Sequence, residues 1–156
     1  MEQVPVNPTP SQIPDRNLFE FPYGPPISLD EAKALIAASE TAAIARGLRM
    51  CLVVLDSGGN LVAFERMDGA LLISVDAARE KARAAVLMKA PSKAAETIVA
   101  SGGLGLTYLS TGVMAVRGGM PLIRNGQVIG SFGASGGSLE DDEHISWVGA
   151  TALRRL

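Results

Sequence analysis

The chain is poor in the residues that usually carry chemistry. It has one cysteine, one histidine and one tryptophan, and only 4% of its residues are aromatic. The single cysteine, Cys51, excludes an intrachain disulfide. It lies in the apolar run Met50–Leu55, where a thiol serves as a small core hydrophobe rather than a nucleophile. The single histidine, His144, leaves no His-based zinc site. No Ser-His-Asp pattern or cysteine–histidine pair occurs at a recognisable spacing. Positive charge is not in excess either. Fourteen Lys and Arg stand against sixteen Asp and Glu, for a net charge of −2, which argues against a nucleic-acid partner. No apolar run approaches the roughly 20 residues of a membrane span. Met1-Glu2-Gln3-Val4-Pro5 lacks the basic start and apolar centre of a secretion signal, so a cytoplasmic address is expected.

What is present is an aliphatic, glycine-rich domain. Hydrophobic residues make up 47% of 156 residues, with 17 glycines. That length and composition suit one domain with a well-buried core. Residues 1–26 stand apart as an extended arm, holding Pro5, Pro8, Pro10, Pro14, Pro22, Pro25 and Pro26 without apolar periodicity. The arm's Leu18–Tyr23 stretch holds Phe19, Phe21 and Tyr23, and is expected to pack on this domain or on a neighbouring subunit.

From 27 to 156 the pattern predicts helices and strands in blocks. Ser28 with Glu31 forms a capping box that opens a helix running to Gly47. Met50–Leu55, apolar throughout, reads as a central strand, followed across Asp56–Asn60 by Leu61–Glu65. Ile73–Met88 is helical, and its cations Arg79, Lys81, Arg83 and Lys89 read as a solvated face. Pro91 ends that helix, and Ser92 is expected to cap a short one through Ala100. Ser101–Leu106 is a glycine loop without the lysine and spacing of a P-loop. Val113–Val116 and Met120–Arg124 read as extended, and Ser138 caps a final helix to Leu153.

Asn125-Gly126 suits a tight hairpin turn into Gln127–Ala134. That strand places Val128, Gly130, Phe132 and Ala134 on one face, and Ile129, Ser131 and Gly133 on the other. The second face has so little bulk that a helix can approach it closely. Neither strand pair is separated by a helix, so an α+β fold with a mainly antiparallel sheet is expected.

Two functional readings follow. In the first, glycine turns expose amides, and Arg66 and Arg117 bond a carboxylate. The ligand-binding candidates are Arg66, Arg117, Gly118, Gly119, Ser135, Gly136 and Gly137. In the second, a cofactor-independent isomerase, tautomerase, lyase or hydratase acts on a small organic acid. Glu143, Asp141 or His144 then moves protons, and the Gly136 and Gly137 amides hold an oxyanion. The acids Glu140–Glu143 also suit a capping role at a helix start.

Seven segments, Ser28–Ala32, Val54–Gly59, Ala63–Ala70, Glu80–Ala85, Gly118–Leu122, Gly126–Gly130 and Gly133–Gly137, follow one another in a recognisable order. On them the chain, from Ile27 to Leu153, resembles the GlcG/HbpS-like family, also found as the C-terminal domain of PduO-type proteins. The resemblance implies a profilin-like domain with a five-stranded antiparallel sheet, and homo-oligomers, commonly octamers. It also implies haem as a candidate cofactor, in a family without one common activity. The haem histidine near the start of a PduO-type domain has no counterpart in the first helix here. His144 is therefore the remaining imidazole candidate for iron. Thr107 and Thr111 are candidates by analogy with members said to use a threonine, and no other metal site is expected.

Overall fold

The first helix, α1 (Leu29–Ala45), starts as its capping box predicts. Glu31 N donates to Ser28 Oγ at 3.3 Å, and Ser28 N donates back to Glu31 Oε2 at 3.0 Å. The protein, a computed structural model, is described here for residues 21–156. The order continues as β1 (Cys51–Asp56), β2 (Leu61–Arg66), α2 (Ile73–Met88), α3 (Lys93–Ala100) and a 3-10 stretch (Gly103–Thr111). Then come β3 (Gly119–Arg124), β4 (Gln127–Ser135), α4 (Leu139–Ala152) and a short 3-10 turn (Leu153–Arg155).

The fold is α+β around one antiparallel four-stranded sheet, ordered β2-β1-β4-β3. The resemblance implied five strands. Residues 113–116, expected to be extended, form no strand. Beyond the end of β1, Tyr23 adds only an isolated parallel bridge to Val128.

β1 is covered on both faces, as its uninterrupted apolar run predicts. Cys51, Val53 and Leu55 pack with Ala78 and Ala82 of α2. Leu52 and Val54 join the larger core beneath α1 and α4, with Leu35, Ile36, Phe132 and Ile145.

α2 lies unusually close to the sheet. Gly119 and Gly133 are paired across β3 and β4. A Cβ on Gly119 would clash with the Lys81 carbonyl, and one on Gly133 with the Ala78 carbonyl. Absent side chains at that pair let the helix backbone rest directly on the strands, as the low bulk of that face predicts.

Ile129 departs from the predicted alternation. The register shifts between Leu122 and Ile123, which pair with Gly130 and Val128, so Ile129 is left unpaired as a bulge. It packs in the core with Phe132 and Ala134 rather than under α2.

The described part of the arm is tied to the sheet. Gly24 N donates to Val128 O at 2.9 Å, and Ile27 N to Ile129 O at 2.9 Å. Tyr23 Oη donates to Val86 O at 2.8 Å, and the Lys89 ammonium sits 4.6 Å from the centre of the Tyr23 ring. Packing of the arm's aromatics thus holds at Tyr23, while Leu18, Phe19 and Glu20 lie outside the described residues.

Ser92 does not cap α3. Its backbone is already helical, and its hydroxyl accepts instead from Gly119 N at 2.8 Å. The cations of α2 are not one solvated face either, because Lys81 is buried. Among the described residues no helix is long and apolar enough to cross a membrane.

Candidate functional site at one end of the sheet

Strand register brings most of the sequence-predicted residues to one end of the sheet. Cys51 pairs with Arg66 on one side and Ser135 on the other, so the three form a row. Ala134 N donates to Gly118 O at 2.8 Å, which brings Gly118, Gly119 and the preceding Arg117 to the same end. Gly136 and Gly137 follow Ser135 and lead into α4, which carries Asp141, Glu143 and His144. The Gly58–Gly59 turn lies at the opposite end, since Asp56 pairs with Gly130.

The Gly136–Gly137 turn does bind an anion, but it is the protein's own. Gly136 N and Gly137 N donate to Asp142 Oδ1 at 3.0 and 2.9 Å. Lys81 Nζ donates to Asp142 Oδ2 at 2.6 Å. The two amides proposed for a ligand or oxyanion are therefore satisfied internally. Both charged side chains are nearly sealed from water, at 3% and 4% exposure. A buried pair of this kind persists because each charge compensates the other and the amides complete the carboxylate's bonds.

The sequence reading missed Lys81 and Asp142 as partners. The signal was present. Lys81 falls on the stripe of Ala78, Ala82 and Ala85, and Asp142 shares spacing with buried Ile145 and Gly149. A charge on each of two apolar stripes points to a buried pair.

Arg117 is engaged as well. Its backbone N donates to Glu96 Oε2 at 2.9 Å, and its Nε lies 3.0 Å from both Glu96 oxygens. Glu140 and Glu143 lie 3.5 and 3.8 Å from its terminal nitrogen. Its ion-pair partners are these three acids. The Arg117 hydrogen bonds hold the Glu96 carboxyl below its usual range.

The other acids serve structure. Asp141 completes a second capping box with Ser138 and meets Arg46 at 3.2 Å. Its hydrogen bonds with Ser138 lower its pKa, with Arg46 adding to the effect. Glu143 pairs with Lys93 at 3.1 Å. Burial raises the Cys51 thiol, so that group stays protonated and unreactive. Thr107 and Thr111 are exposed and donate their hydroxyls to carbonyls of their own 3-10 stretch, Leu104 O at 2.6 Å and Tyr108 O at 2.7 Å.

Two candidates remain open to a visitor. Arg66 is exposed at the end of β2 and makes no ion pair among the described residues. His144 lies on α4, on the other face of the sheet from α2. Its ring is stacked near that of half-exposed Trp147, with centroids 6.4 Å apart and planes at 29°. Among the described residues no group of three or more His, Cys, Asp or Glu could hold a metal ion.

These observations define an α+β domain with charged side chains gathered at one end of an antiparallel sheet. The chain belongs to the HbpS-like family, described as "haem degrading protein HbpS-like", which matches residues 27–151. It is 33% identical to Protein GlcG of Escherichia coli K12 over 109 residues, 70% of this chain and 81% of that protein. The fold is similar to the crystal structure of Klebsiella pneumoniae protein ORFY. That likeness has a TM-score of 0.80 and 30% identity, and covers 88% of this chain and 97% of the other. It is also similar to a PduOC:heme complex, with a TM-score of 0.74, 32% identity, and coverage of 81% and 94%.

Proposed function

We propose that this chain binds a small carboxylate-bearing ligand, with haem the first candidate. The observation that carries the reading is Arg66, an exposed guanidinium with no ion pair among the described residues, in register with Ser135 across Cys51. A free guanidinium offers two parallel donors to a carboxylate. The likeness to a PduOC:heme complex supports haem in particular.

The side chains fit haem in one place. His144 supplies the chain's sole imidazole, and the neighbouring Trp147 offers a flat apolar surface. On this reading His144 would hold the iron. When bound, the group supplies a redox-active iron.

The isomerase or lyase reading is the weaker one. Its proton carriers Asp141 and Glu143 are held in ion pairs, and its oxyanion amides at Gly136 and Gly137 are taken by Asp142. The same account takes the protein as cytoplasmic and the arrangement as profilin-like, with the Tyr23 bridge marking where a fifth strand would add. It also takes the protein as a homo-oligomer, up to an octamer. The consecutive Leu71, Leu72 and Ile73 are 62%, 75% and 76% exposed, an apolar surface that association would cover.

Titration with haemin tests the reading. A saturable one-to-one Soret shift is expected, and featureless uptake without saturation contradicts it.

A further inference from the structure

We infer that residues 93–117 form a strap, clamped at its root and latched to α4 by ion pairs, that opens as a unit without unfolding the sheet. Three observations carry this. The root is closed on itself: Ser92 N donates to Gly119 O at 2.9 Å, and Gly119 N returns a bond to Ser92 Oγ at 2.8 Å. Residues 93–117 can therefore move while β3 stays paired and Gly118 stays bonded to Ala134 of β4.

The strap also packs chiefly on itself. α3 and the 3-10 stretch are each other's main neighbours. Gly105 sits so close to the Ile98 carbonyl that a Cβ would clash. Against the rest of the molecule it rests on a small satellite cluster, in which Ala95 and Val113 meet Ala84 of α2, with Met88 and Tyr108 packed alongside. Leu104 on its outer side is 88% exposed. So small an apolar contact places the strap at the low-stability end of the fold.

The attachment to α4 is electrostatic. Lys93 meets Glu143, and Arg117, fixed to Glu96 within the strap, reaches Glu140 and Glu143. These partly exposed pairs act as a network rather than singly, and salt weakens them. To α2 the strap adds one exposed hydrogen bond, from Arg83 Nη1 to Gly112 O at 3.3 Å. Opening bares the apolar side of α2 at Ala84 and Met88. The strap stands independently of which ligand the protein takes.

Hydrogen exchange of the full chain tests it, comparing the natural protein with Glu143→Gln, which removes the acid that meets both Lys93 and Arg117, and, as a milder break, Lys93→Ala. In both variants amides of residues 95–112 should exchange about tenfold faster, while β1 and β4 keep their protection. The natural protein in added salt should show the same local change to a lesser degree. Faster exchange spread evenly through β1 and β4, or none in the strap of either variant, overturns the inference.

Discussion

Lys81 and Asp142 meet at 2.6 Å across the gap between α2 and α4, 61 residues apart in sequence and both nearly buried. Asp142 also receives the two amides that reverse the chain after β4. The pair thus ties two helices on opposite faces of the sheet to the loop between strand and helix. Removing one partner leaves the other charge buried and alone. Lys81→Met should cost about 3–5 kcal/mol. Asp142→Ala should cost at least as much, because it also strands two amides. Urea unfolding measures both, and a loss under about 1 kcal/mol in either would contradict the role assigned to the pair.

The close seat of α2 gives a second outcome. Gly119→Ala and Gly133→Ala each force a methyl into a helix carbonyl and should destabilise by about 3 kcal/mol or more. Gly126→Ala meets open space and is strained only by its φ of 70°, so about 1 kcal/mol is expected. Thermal melts of the three variants should fall in that order.

Ser131 is buried, and its hydroxyl has no hydrogen-bond partner among the described residues. Ser131→Ala should therefore leave stability unchanged or raise it by up to about 1 kcal/mol. A clear drop in melting temperature would mean that the hydroxyl bonds something essential.

Much of the fold was legible because its local signals were strong. The Ser28 and Ser138 caps, the apolar run of β1 and the bulk-free face at Gly133 each carry a mechanism within a few residues. Ile129 was misplaced because a bulge depends on how β3 and β4 pair, which a single strand's alternation does not record. Ser92 was misread for a related reason: its hydroxyl serves Gly119, which is distant in sequence. At the site, the Gly136 and Gly137 amides expected to meet a ligand or oxyanion meet the protein's own carboxylate instead. That carboxylate, Asp142, went unseen because a helix-start acid reads equally well as a cap.

Acid should weaken the protein through three carboxyls whose folded pKa lies below the ordinary value. Arg117 is the main cause at Glu96, Arg124 at Glu31, and Ser138 at Asp141. A depressed folded value means that the unfolded chain takes up the proton first. The stabilising contribution is complete above the ordinary range, 4.5 for Glu and 3.8 for Asp, and is lost as pH falls through the lower folded values. Urea midpoints should be flat from neutral pH to about 5 and fall below that. In Glu96→Gln the fall should be shallower.

Haemin titration of the natural protein beside His144→Ala and Arg66→Ala tests the binding account most directly. The account predicts one saturable site per chain, with a Soret band that shifts and weakens when His144 is lost. Weaker binding of small carboxylates should follow the loss of Arg66. Unsaturable uptake that is identical in all three proteins, together with no carboxylate binding, would contradict it.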